Sequence, residues 1–313
     1  MKEISFYTQN DLAQLGQSRN QQVDDLLAGF LKNFNSSHTT LAYKRDLMDF
    51  FAFERSQYDS ITSINHGKMV AYKNNLASLS LNFKTINRKL AAVYSFYEYL
   101  MDESLVRENP VRRVQRYKIA KEIVTDDISD DDLARLWIYL DSFIGKQMLP
   151  RAFISTLFNT GMRQGEARSL QLKNLDYEGN ALVFRYIGKG QKVTVKAIND
   201  RLKTDLGMYF DYLASQGIEL GQEDYLFASC RKNSNGPIDQ KTADYYFKKV
   251  LGSLGIKGKI SPHTARATFA GKLLDAGHSI HAVAEEMKHQ DIRTTASYNK
   301  RKSNIGKSLV FDI

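Results

Sequence analysis

The sequence predicts a mainly α-helical protein of two domains, and three observations lead there. At 313 residues the chain is long enough for about two domains. Apolar residues recur at helical spacing from about residue 20 to 108 and again beyond residue 127. A single pair of β-rich runs interrupts them.

Val23, Leu26, Leu27, Phe30 and Leu31 keep helical spacing, and Ser36, Ser37 or Thr39 is placed to cap the next helix. That helix, LAYKRDLMDFFAFE, is expected to bury Leu41, Tyr43, Leu47, Phe50 and Phe51. A third runs from Ser63 to Leu76 around Met69, Val70 and Tyr72. A fourth starts at Ser80, with Ile86, Leu90, Val93, Phe96, Tyr97 and Leu100 at core spacing. Short connections make these four a small bundle.

Pro110 ends the fourth helix. Arg112, Arg113, Arg116, Lys118 and Lys121 follow without a core pattern, as a basic linker would. Acidic residues after Ser129 suit a helix N-terminus and open a new unit. The division expected is residues 1–110 as a helical domain, 111–126 as linker and 127–313 as a second domain with a C-terminal tail. In that second domain DDLARLWIYLDSF is amphipathic, Pro150 suits a first helical position and Gly161 a C′ position. ALVFRYI and KVTVKAI flank GKGQ as a hairpin with Lys189 at its tip. Two further helices follow, 200–215 and 239–255, before Ser261 caps another with Pro262 at its first position.

The net charge of +9 favours a polyanionic partner, nucleic acid before membrane surface. One cysteine, Cys230, excludes an intrachain disulfide or a thiolate zinc cluster and suits a reducing cytoplasm. The N-terminus lacks the apolar region of a signal peptide, and no apolar run approaches the ~20 residues of a membrane span. In the first domain Lys44, Arg45, Lys84 and Arg88, with Lys68, Lys73 and Lys89, read equally as a DNA-gripping face or a solvated one.

The chemistry concentrates between Ser261 and Lys300. His263 and Arg266 are three apart and share a helix face. His289 follows, and Tyr298 comes nine residues later after a polar turn. Arginine binds phosphate oxygens bidentately, histidine moves protons near neutral pH, and a tyrosine oxygen can be a covalent nucleophile. Taken singly, each reads more simply as a surface or helix-start residue. Arg163 and Glu166, three apart at the start of a short helix, add an aimed guanidinium or a plain surface ion pair.

In chain order, Arg163, Lys189, His263, Arg266, His289 and Tyr298 resemble the catalytic set of the tyrosine recombinases, the phage-integrase and Xer-type family. TGMRQGEA, IGKGQK, SPHTAR and MKH carry the resemblance, with Met287-Lys288-His289 standing where the family usually has Leu-Gly-His. The resemblance implies a four-helix core-binding, SAM-like domain and an α-rich catalytic domain with a small antiparallel sheet. It implies site-specific recombination of double-stranded DNA through a 3′-phosphotyrosyl intermediate and a Holliday junction, for integration and excision of a mobile element or dimer resolution. Tyr298 is then the nucleophile, Arg163 and Arg266 clamp the phosphate, His289 donates to it, His263 takes the tyrosine proton or hydrogen-bonds the phosphate, Lys189 protonates the leaving oxygen and Glu166 orients the active-site arginine and histidine residues. Arg112, Arg113 and Arg116 join Lys44, Arg45, Lys84 and Arg88 as DNA-binding residues. Neither metal nor other cofactor is implied. The partners implied are DNA carrying a specific site and a homo-tetramer, or a hetero-tetramer with a paralogue, in the cytoplasm on the nucleoid. The tail after Tyr298 suits docking on a neighbour or folding on its own domain. A catalytically silent DNA-binding regulator and a type IB topoisomerase are the competing readings; the six polar groups argue against the first, and the helical first domain and short chain against the second.

Overall fold

A computed structural model describes residues 23–57, 61–119, 127–188, 192–228, 236–256, 258, 260–289 and 291–299. The chain divides into two compact units, Met1–Lys121 and Glu122–Ile313.

In the first unit α1, described over residues 23–31, precedes α2 (Ser37–Gln57), α3 (His66–Ser78) and α4 (Phe83–Asp102). Their apolar stripes close one core around Phe30, Phe50, Met69, Leu90, Phe96 and Leu100. Leu41, expected in that core, is 63% exposed because it lies on the opposite side of α2 from Leu47 and Phe50. The cap of α4 is Asn82, whose side chain accepts from the Lys84 N–H at 2.8 Å. Ser80, the expected start, has φ 56° and belongs to the turn that closes α3.

Residues 111–119 are part of this unit's packing. Val111 and Val114 are buried in its core. Asn87 holds both main-chain groups of Tyr117, at 2.8 and 3.0 Å. The Tyr117 ring stacks on Phe83 with centroids 4.2 Å apart, and Lys73 Nζ lies 4.7 Å from its centroid.

The second unit runs α5 (Asp130–Asp141), α6 (Met148–Thr160), α7 (Gln164–Arg168), β1 (Leu175–Glu178), β2 (Ala181–Ile187), β3 (Val193–Ala197), α8 (Asp200–Ser215), α9 (Gln240–Ser253), α10 (Pro262–Asp275), α11 (Ile280–Glu286) and α12 (Ile292–Asn299). Almost every residue of α6 is buried, and α8, α9 and α10 pack around it. The sheet is antiparallel in the order β1-β2-β3, with Phe184 opposite Lys196 and Tyr186 opposite Thr194. β1 is a strand the sequence does not announce: LDYE is short, mostly exposed and half acidic, so it carries no apolar alternation. The architecture is the mainly helical one with a small antiparallel sheet that the sequence predicts. Among the described residues no helix is long and apolar enough to cross a membrane.

Candidate active site

The site is assembled where three helix ends meet. α6 stops at Gly161, which takes φ 62° and turns its carbonyl to Arg266 Nη1 at 2.5 Å. A side chain at Gly161 would have its Cβ 2.5 Å from the Phe269 ring, so the tight turn needs glycine. Two residues on, Arg163 caps α7 from outside. Glu166 reaches back to it twice: Oε2 accepts from the Arg163 N–H and Oε1 from Arg163 Nη1, both at 2.8 Å. With its carboxylate only 13% exposed, Glu166 holds the guanidinium in one direction.

α10 begins as its sequence predicts, with Ser261 as N-cap and Pro262 in the first turn. Arg266, one turn in, is 4% exposed and donates to two main-chain carbonyls, Gly161 and Met287. His263 sits exposed near the helix start. Although the residue keeps solvent access, partial desolvation of its ring, then Arg266 and Arg163, push its pKa below the usual histidine value.

The end of α11 explains how His289 is held. Lys288 has φ 49°, its N–H donates to the Glu285 carbonyl, and the His289 N–H donates to the Ala284 carbonyl, each at 2.9 Å. This is a Schellman ending with a lysine in the left-handed position that favours glycine. The His289 ring turns inward, with Nδ1 2.8 Å from the Thr295 hydroxyl on α12. Burial, then Arg266, Arg163 and Lys196, push its pKa down to about 4. The imidazole is therefore neutral at pH 7 and acquires affinity for a proton once an anion arrives.

A cavity of about 510 Å³ is lined by Arg163, Glu166, Arg266 and His289, together with Tyr186, Lys192, Lys196, Glu285 and Lys288. Five cationic side chains face two carboxylates there. Burial and the nearby Glu166 raise the Tyr186 phenol, which keeps its proton. Among the described residues no group of three or more His, Cys, Asp or Glu side chains is placed to hold a metal ion.

Of the six residues singled out by sequence, three line the cavity and His263 stands one helical turn from Arg266. Lys189 lies outside the described residues, between Gly188 and Lys192, which both line the cavity. Tyr298 lies in helix α12, which begins at Ile292, so much of the polar stretch the sequence places before the tyrosine is helical. Lys196 is the residue that sequence reasoning passes over. It is 3% exposed and reaches the same cavity, yet its strand reads as ordinary alternation.

In the first unit Lys44, Arg45, Lys84, Arg88, Arg112, Arg113 and Arg116 are exposed. Arg88 also pairs with Asp46. Lys89 is not on that face: it is buried between Asp46 and Asp49.

Comparison with known proteins accords with this geometry. The profile of the Phage integrase family matches residues 127–304, and that of the phage integrase N-terminal SAM-like domain matches residues 24–104. The chain belongs to the phage integrase family. Relatives include a tyrosine recombinase of Pseudothermotoga lettingae, 29% identical over 84% of this chain and 87% of that protein. Tyrosine recombinase XerC of Anoxybacillus flavithermus is 27% identical over 85% of this chain and 88% of its own length. Among solved structures, a lambda integrase dimer bound to a COC′ core site superposes with TM-score 0.68 at 14% identity, covering 91% of this chain and 96% of that one. XerH site-specific recombinase bound to palindromic difH substrate superposes at TM-score 0.67 and 17% identity, covering 86% of this chain and 78% of that one.

Proposed function

We propose that this integrase-family chain is a tyrosine-type site-specific DNA recombinase that uses Tyr298 as nucleophile. The observation that carries the reading is the cavity itself. Two arginines, each fixed by protein groups, and a neutral imidazole converge beside the helix that carries Tyr298 in its backbone. Attack on a phosphodiester places added negative charge on the nonbridging oxygens. A site with excess fixed cations stabilises that charge without reorganising, and loss of one such donor costs roughly 10²–10³ in rate. The DNA phosphate is then the anion that suits the cavity.

In this reading Arg163 and Arg266 hold the nonbridging oxygens and His289 donates to one of them. His263, neutral and beside Arg266, accepts the Tyr298 proton. The Tyr298 oxygen bonds to phosphorus while the bond to the 5′-oxygen breaks, and Lys189 supplies that oxygen's proton. The 3′-phosphotyrosine keeps the energy of the broken ester, so a second strand's 5′-hydroxyl reverses the step without nucleotide. Lys44, Arg45, Lys84, Arg88, Arg112, Arg113 and Arg116 supply exposed charge for the phosphate backbone, which makes binding salt-dependent. Exchange between two duplexes needs four active sites, so a tetramer on DNA, of this chain alone or with a paralogue, is the working assembly.

The test uses a nicked suicide duplex built from the DNA flanking the gene. Wild type is expected to become covalently linked to it, in the presence of EDTA, and Tyr298→Phe to bind the duplex equally but form no adduct. A covalent adduct from Tyr298→Phe would move the nucleophile elsewhere. DNA binding without any adduct from the wild type would favour the silent regulator.

A further inference from the structure

At the end of helix α11 the four main-chain carbonyls from Ala284 to Met287 each accept from a protein donor. The Schellman turn takes two: Ala284 accepts from the His289 N–H and Glu285 from the Lys288 N–H, both at 2.9 Å. Arg266 takes the Met287 carbonyl. The remaining one, on Glu286, accepts from Lys196 Nζ, and the same ammonium meets Glu286 Oε1 at 2.6 Å. Lys196 comes from β3, 90 residues earlier in the chain. Its side chain is 3% exposed and lies with Nζ 5.7 Å from the Phe269 ring centroid.

A buried lysine costs several kcal/mol of desolvation unless its partners repay it. An apolar residue on this face of β3 would avoid that cost, and Val193 and Val195 on the same strand show that valine suits the strand backbone. The strand instead turns Thr194 and Lys196 inward, beside Phe184 and Tyr186 on the same sheet face. What the lysine gains there is a grip on the last turn of α11, three residues before His289, with a cation at the helix's negative end.

We propose that Lys196 is a positioning residue for catalysis: by fixing the Glu286 carbonyl and carboxylate it holds the turn that aims His289 and the Met287 carbonyl that orients Arg266. The inference rests on the recombinase reading for its effect on rate, and on the structure alone for its effect on His289. Lys196 and Arg266 act as a pair of cationic pins on adjacent carbonyls, one from the sheet and one from α10. Lysine's flexible stem reaches the carbonyl end-on, a geometry that a neutral residue of equal length does not supply.

Three full-length variants test it: Lys196→Met, Lys196→Arg and Glu286→Gln. Adduct formation on the nicked duplex is followed at saturating DNA, beside DNA affinity and melting temperature. Lys196→Met is expected to slow adduct formation roughly 10- to 100-fold at saturation, as loss of support behind a reacting group does, with affinity for the duplex unchanged. Lys196→Arg recovers much of the rate. Glu286→Gln loses less than Lys196→Met, because it keeps the main-chain carbonyl. A folded Lys196→Met that reacts at the wild-type rate overturns the proposal. So does a rate loss that simply tracks weakened binding or unfolding.

A second readout needs no reaction. In the DNA-free protein, the His289 imidazole ¹⁵N signals at pH 8 are expected to shift or broaden in Lys196→Met and to return in Lys196→Arg. If they superimpose on the wild type in both, the turn does not depend on Lys196. A wild type that forms no adduct counts against the recombinase reading, and the imidazole signals then decide Lys196 on their own.

Discussion

In the first unit Lys89 is buried between Asp46 and Asp49, and Arg88 closes the same cluster from the surface. In the second unit Arg266 and Lys196 are buried as deeply, but their donors reach the carbonyls at the ends of α6 and α11, and Glu286 is the carboxylate that meets Lys196. The first arrangement sets two cations against two carboxylates and leaves little field outside it. The second sets five cations against two carboxylates in the cavity lining, with Glu286 pairing Lys196 beside it, so cations are still in excess. Main-chain carbonyls hold a guanidinium in place without cancelling its charge, which on the proposed reading keeps the field available to an incoming phosphate. Buried cations alone do not mark an active site; what their partners carry does.

Substitution of one cation in each cluster should separate the two. Arg266→Gln is expected to lower adduct formation by about 10²–10³ at saturating DNA, measured by single-turnover trapping; a loss under tenfold would mean that Arg266 holds the fold rather than the phosphate. Lys89→Met leaves Asp46 partly uncompensated in the core. It should destabilise the protein by about 3 kcal/mol in urea, while the folded protein at low temperature still forms the adduct at the wild-type rate. A slowed reaction in folded Lys89→Met would erase the contrast between the clusters.

Protons sharpen the same contrast. His289 and His263 are both held below the ordinary histidine value, His289 at about 4. Between about pH 6.5 and 4 the unfolded chain binds protons there that the folded chain does not. DNA-free stability should therefore fall as pH drops through that window, and His289→Gln should flatten the fall in melting temperature. A phosphate in the cavity offsets part of the local positive field and raises both values. Binding of DNA near pH 6 should take up protons, seen as a buffer-dependent heat in calorimetry.

The smallest effect concerns Lys288. At φ 49° its side chain costs about 1 kcal/mol relative to glycine. Lys288→Gly should raise the melting temperature by roughly 2–4 °C, with His289 undisturbed.

Much of this was legible in the residues. Pro262 after Ser261, Gly161 after α6 and the Arg163–Glu166 spacing each place a helix end, and those ends carry the site. The cores of both units follow from apolar spacing on long helices. What escaped was set by neighbours. Leu41 has the right chemistry for the core but the wrong angle on α2. β1 pairs through its backbone and needs no apolar pattern. Lys89 resembles a surface cation until Asp46 and Asp49 are brought to it from α2. Lys196 is the sharpest case, because β3 inverts the usual rule and turns its polar residues inward. A strand whose inner face borders a charged cavity obeys the cavity, and the sequence of one strand does not say what it borders.

Thr295 gives the His289 hydrogen bond a further meaning. It is fully buried on α12, 2.8 Å from the imidazole, and precedes Tyr298 by three residues. The helix that carries Tyr298 in its backbone is thus joined to the His289 ring. On the proposed reading, with Tyr298 as nucleophile and His289 as donor to the phosphate, a displacement of α12 that breaks this bond would disturb both groups together.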